Sequence, residues 1–208
     1  FYRAHWMSGN LAFVDALVRS IEASGAATVP AFCYSLKDDE SGTGGLGAVF
    51  GRYFRRADGT SLVDCIVSTL SFSAAQVEVR GAAIATGWSV AQLAELDVPV
   101  LQAITSSSSV AEWAESDQGL NPLDTAMNVA MPEFDGRVIT VPVSFKEEVA
   151  EPGLDAPVVR YAPQADRVEL VAGLAVRWAR LRRKPNSEKR IALILSNYPT
   201  KASRIGNA

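Results

Sequence analysis

Two carboxylates, Glu133 and Asp135, stand two residues apart in the segment GLNPLDTAMNVAMPEFDG, residues 119–136. Pro132 restricts the backbone ahead of them and Gly136 frees it behind. Carboxylates on such a backbone can bind a divalent cation or accept a proton. The run Pro132-Glu133-Phe134-Asp135-Gly136 also suits a plain corner before a strand, with Asp135-Gly136 at the bend. Residue chemistry leaves both readings open.

His5 is the only histidine. It follows Arg3 and Ala4 at an expected strand end, where ligands gather in open α/β sheets. Metal or carboxylate binding is one use for it, but spacing alone favours a half-buried histidine bonded to its loop. Thr105 and Ser106 to Ser109 give five hydroxyls in a row. No G-x-S-x-G elbow surrounds them, so a serine hydrolase is not indicated and a helix cap is. Residues 42–47, GTGGLG, match G-x-G-x-x-G, with Asp64 about 20 residues on. The first glycine lies well past the preceding strand, and Asp38, Asp39 and Glu40 precede it where a pyrophosphate would sit. A surface loop is therefore favoured over a dinucleotide site. No G-x-x-x-x-G-K-[ST] occurs. The basic cluster from Arg177 to Arg190 reads first as a solvated helix end.

The elements that must carry these residues alternate as in α/β folds. Residues 1–3 read as a strand end. Asn10 is expected to cap a helix over 11–24, with Phe13, Leu17 and Ile21 on one face and Gly25 as its stop. Residues 28–36 read as a central parallel strand. A short helix over 48–56 and buried strands over 62–70 and 98–104 follow; residues 71–91 are ambiguous. Ser109 and Glu112 form a capping box for a helix bearing Trp113. Asn121-Pro122 opens another helix that ends near Ala130. Residues 138–145 form a strand with Pro142 at an edge or bulge. Residues 147–163 read as an acidic connection. Asp166 and Glu169 cap a helix over 167–183 whose buried stripe is Val168, Val171, Ala175 and Trp178, and Pro185 ends it. Residues 191–195 read as a last buried strand. The fold class is α/β: a three-layer, Rossmann-like module with a mostly parallel sheet over 1–185, then 186–208 as a linker and the first strand of a following domain.

The chain has 208 residues, 48% hydrophobic and 21% charged, enough for a sizeable core. A net charge of -3 argues against a general nucleic-acid binder. No apolar run reaches the roughly 20 residues that span a bilayer. Cys33 and Cys65 read as buried, reduced thiols of a cytosolic protein. No signal peptide is expected, and the start at Phe1 suggests a piece of a longer polypeptide.

Three stretches carry a resemblance. Residues 98–147, VPVLQAITSSSSVAEWAESDQGLNPLDTAMNVAMPEFDGRVITVPVSFKE, resemble the large subunit of aerobic cobaltochelatase and, more distantly, the H subunit of magnesium chelatase. The shared pattern is a Val-Pro strand, a helix with a central Trp, Gly-Leu, and Pro-Glu-x-Asp-Gly. Residues 3–36 resemble the family's Arg-x-His strand end and following helix, and residues 189–208 its Leu-Ser-Asn-Tyr-Pro segment. Phe134 stands where the family has an aliphatic residue. The resemblance implies a protein that binds a tetrapyrrole of the hydrogenobyrinic acid a,c-diamide type and inserts Co2+ during cobalamin synthesis. ATP and Mg2+ would be handled by separate AAA+ ATPase subunits, which fits the missing P-loop. Because insertion removes protons from ring nitrogens, it implies Glu133 as the catalytic carboxylate, with His5, Asp135 and Arg3 as weaker tetrapyrrole or metal contacts. The isolated piece would be inactive. A non-catalytic module docking the ATPase subunits is the main alternative, and an independent nucleotide-binding domain a lesser one.

Overall fold

A computed structural model describes residues 1–36, 44–80, 83–89, 91–150, 153 and 155–194, without the side chains of 76–80, 83–89, 91 and 92. Tyr2 forms a parallel bridge with Cys33 and leads into helix α1, Arg3–Met7. Helix α2, Ala12–Ala23, buries Phe13 and Leu17. It stops at Gly25, whose φ of +85° lies in the left-handed region that favours glycine. Asn10 does not cap it. Its side-chain oxygen accepts the Tyr161 amide at 2.9 Å and ties the helix start to the far edge of the sheet.

The expected central strand over 28–36 is not central. Only its Cys33 bridge is formed, and Val29, Phe32 and Tyr34 are exposed. Apolar side chains alone could not distinguish a sheet interior from a sheet edge here. Helix α3, Leu46–Val49, runs into a π-helical turn, Phe50–Phe54. Strand β1, Ile66–Ser68, comes next. The ambiguous stretch becomes an antiparallel hairpin of β2, Gln76–Arg80, and β3, Ala83–Ser89, followed by α4, Ala91–Ala94. Strand β4, Val100–Thr105, is buried throughout.

Helix α5, Val110–Glu115, has the expected capping box: Ser109 Oγ accepts from the Glu112 amide at 3.1 Å and Glu112 from the Ser109 amide at 2.8 Å. Asn121 caps α6, Pro122–Asp124. The helix does not end near Ala130. It continues through a π-helical stretch, Thr125–Ala130, into α7, Met131–Phe134. Strand β5, Val138–Val149, is flanked on both sides, so Pro142 sits at a bulge against Ile104 and not at an edge. The expected connection over 147–163 contains a strand, β6, Val158–Pro163. Its alternation was masked by acidic and proline residues nearby. Helix α8, Ala165–Arg183, buries Val168, Val171 and Ala175, with Trp178 partly covered. Gln164 is its N-cap; Asp166 lies inside the first turn and makes no cap bond.

The main sheet has the order β1-β4-β5-β6, parallel except for β6. One core cluster, around Leu46, Phe50, Phe54, Leu70 and Leu96, packs beneath one face. The other, with Leu17, Ala103, Val143, Val168 and Val171, lies under α2 and α8. Helices on both faces of a mostly parallel sheet make three layers. Residues 191–194 form no strand, and Ile191, Leu193 and Ile194 are exposed; Leu195 and the Ser-Asn-Tyr-Pro run lie outside the described residues. Among the described residues no helix is long and apolar enough to cross a membrane.

Candidate functional site

The crossover from α6 through α7 is anchored at both ends by buried acids. At its start, Asp124 is 3% exposed. Its Oδ2 accepts from Ser106 Oγ at 2.9 Å, the Ser107 amide at 2.8 Å and Asn121 Nδ2 at 3.2 Å. One turn on, Asn128 donates to Asp124 Oδ1 and accepts from Ser71 Oγ at 2.7 Å. Tyr2 Oη reaches the Ser71 carbonyl at 2.8 Å. These bonds join the loops that leave β1 and β4 at their carboxyl ends.

At the other end lies Asp135. Its side chain is fully buried and paired with Arg137 at 2.7 Å. It also accepts from Ser73 Oγ at 2.5 Å, the Ala74 amide at 2.8 Å and the Ala75 amide at 3.1 Å. Arg137 donates in turn to the Leu70 and Phe72 carbonyls and to Gln102 Oε1. Phe72 has φ of +67°, a conformation costly for a bulky residue, and its amide is held by the Met127 carbonyl at 2.8 Å. A buried ion pair persists only when extra hydrogen bonds offset desolvation, and here they do. Asp135 thus has its acceptor capacity filled by protein donors and fixes the corner.

Glu133 is exposed, in the last turn before that corner. Its carbonyl accepts the Gly136 amide at 2.9 Å, so its backbone is rigid while its carboxylate faces outward. Gly136 itself has φ of +73°, as the bend requires. Val138 pairs with Leu101 near the start of β4, so Glu133 and Asp135 lie towards the amino end of the parallel strands.

His5 and Arg3 sit at the opposite end, beyond the bridge at Tyr2. Arg3 is exposed and its amide donates to Cys33 O at 2.9 Å. His5 is half-buried, edge-on to Phe13 at 5.0 Å and to Tyr161 at 5.4 Å, and burial lowers its pKa. Within this chain the structure does not bring Glu133 together with His5 or Arg3. Among the described residues no cluster of three or more His, Cys, Asp or Glu could hold a metal ion.

Asp64, the acid expected of a dinucleotide fingerprint, pairs with Arg183 at 2.6 Å. Gly42, Thr43 and the preceding Asp38, Asp39 and Glu40 lie outside the described residues. The basic end of α8 is stitched to loops: Arg180 donates to Ser24 O, Arg182 to Asp97 O and Arg183 to Asp64. Cys33 and Cys65 are free thiols, and burial pushes Cys65 up to about 12. Sequence reasoning missed Asp124, Asn128, Gln102 and Arg137. The i, i+4 spacing of Asp124 and Asn128 was a readable signal. Nothing local marked Arg137 as buried.

A family model described as CobN/magnesium chelatase matches residues 1–208. The aerobic cobaltochelatase subunit CobN of Pseudomonas aeruginosa is 38% identical over 208 residues, all of this chain and 15% of that protein. The magnesium-chelatase subunit ChlH of Oryza sativa subsp. japonica is 30% identical over 214 residues, covering 99% of this chain and 14% of that protein. A solved structure of the catalytic subunit of cobaltochelatase from Mycobacterium tuberculosis is 40% identical, with a TM-score of 0.74 over 100% of this chain and 16% of that one. The chain therefore spans about 15% of the length of the curated relatives it matches.

Proposed function

The chain belongs to the CobN/magnesium chelatase family, and from that premise we propose that it is part of the large subunit of an ATP-dependent cobaltochelatase. The full subunit binds a tetrapyrrole of the hydrogenobyrinic acid a,c-diamide type and inserts Co2+ in cobalamin synthesis. The observation that carries this reading is similarity over the whole chain, higher to cobaltochelatase than to magnesium-chelatase subunits. ATP and Mg2+ act on separate AAA+ partner subunits. We place the protein in the cytoplasm.

Insertion into a tetrapyrrole replaces two ring N–H protons with one divalent ion, and those protons need an acceptor. We assign that role to Glu133. It is an exposed carboxylate on a helix end anchored by Asp124 and Asp135, so it can face a cavity completed by other parts of the subunit. Asp135 positions it and does not itself take ring protons. Arg3 and His5 serve at the opposite end of the sheet as further contacts. Residues 186–208 link to a following domain, whose first strand draws on the exposed Ile191, Leu193 and Ile194.

Reconstitution tests the reading. The longer protein, its ATPase partners, ATP and a metal-free corrinoid should yield the cobalt complex from Co2+, seen as a shift in the ring's absorption bands. Binding of the corrinoid with no insertion under any metal would contradict it.

A further inference from the structure

Among the described residues, a partly open cavity of about 680 Å³ lies between residues 28–33 and β1. Residues 28–31 and 33 line one side of it and residues 62–70 the other. Its roof and floor are the two core layers: Leu17, Ile21 and Val176 on one face, Leu46, Phe50 and Phe54 on the other. A space between two strand edges, with apolar layers above and below, has the shape of a missing β-strand.

The hydrogen bonds fix what would fill it. Ile66 donates to Pro99 O on the β4 side, so by alternation Cys65 and Val67 turn their amide and carbonyl groups toward the cavity. On the other wall a parallel ladder has begun: the Phe1 nitrogen donates to Ala31 O at 3.1 Å, Cys33 to Phe1 O at 3.1 Å, and Arg3 to Cys33 O at 2.9 Å. Pro30, which lacks a donor, alternates with these residues and faces the outer edge, where prolines are tolerated. Two buried polar atoms with no partner, Thr69 Oγ1 and Arg137 Nε, belong to residues that line the same space.

We infer that this cavity is the seat of a β-strand made by the residues that precede Phe1 in a protein of the relatives' length, continuous with Phe1 and Tyr2. The strand joins the isolated Tyr2–Cys33 bridge to β1 and closes one sheet. Residues 28–33 form its edge, the new strand lies next, and β1, β4, β5 and β6 follow. That is the doubly wound order in which the second strand flanks the first, with α2 as the right-handed crossover between them. Register follows from the ladder. The second residue upstream of Phe1 bonds Val29 O and the Ala31 amide, and the first residue upstream faces Cys65 and Val67 of β1. This goes beyond the chelatase reading and does not rest on it.

Hydrogen-exchange mass spectrometry on the longer protein tests the inference. Peptides covering 28–33 and 65–69 should be as protected as Val100–Thr105. Proline at the first upstream residue should abolish protection at 65–69, and proline at the second should abolish it at 28–33, each by removing one ladder donor. Fast exchange at both segments in the unsubstituted protein would overturn the inference. So would protection that persists when the upstream residues are deleted, or that rises with protein concentration, since another segment or a second copy would then fill the space.

Discussion

Arg137 decides how the Pro-Glu-Phe-Asp-Gly corner behaves. With Asp135 it forms a pair whose side chains are 1% and 0% exposed. Removing one member leaves the other charged and dry, so Asp135→Ala should destabilise the corner by about 3–5 kcal/mol. The measurement is native-state hydrogen exchange over residues 131–138. His5 supplies a pH dependence. Burial lowers its pKa, so the folded state holds it neutral while the unfolded chain takes up its proton first as pH falls. Stability should be fully present above about 6.5 and decline as pH drops below it toward the lowered value. His5→Phe, which keeps the ring between Phe13 and Tyr161, should flatten that decline in denaturant midpoints measured across pH. The pair of acids at Glu133 and Asp135 was legible in the sequence, but their division of labour was not. One is exposed and one buried because of Arg137, Ser73 and the Ala74 and Ala75 amides, partners up to 62 residues away.

Helix starts follow local rules where a side chain has only its own helix to serve. The Ser109–Glu112 box forms as the spacing predicts, and Ser109→Ala should cost about 1 kcal/mol, read as faster exchange across Val110–Glu115. Asn10 obeys a distant partner instead, giving its oxygen to Tyr161. β4 and β5 were readable from dense apolar runs. β6 was hidden among charges, and residues 28–36 were misread as a central strand because apolar composition does not report which edge is paired. The expected strand over 191–195 likewise finds no partner in residues 191–194 of this chain.

At the scale of the molecule, the sheet sorts the candidate residues. Arg3 and His5 follow the isolated parallel bridge at Tyr2, while Glu133 lies towards the amino end of the parallel set. A single compact site cannot be assembled from this chain alone, which spans 16% of the solved cobaltochelatase subunit it matches. The proposed tetrapyrrole cavity therefore takes Glu133 as one wall and the remainder of the subunit as the others. The most direct test substitutes Glu133→Gln in the longer protein, reconstituted with its ATPase partners, and follows corrinoid binding and cobalt insertion separately. Binding should be unchanged while the insertion rate falls by about 100-fold or more, as expected for loss of a proton acceptor. Insertion at the unsubstituted rate would contradict the role given to this carboxylate.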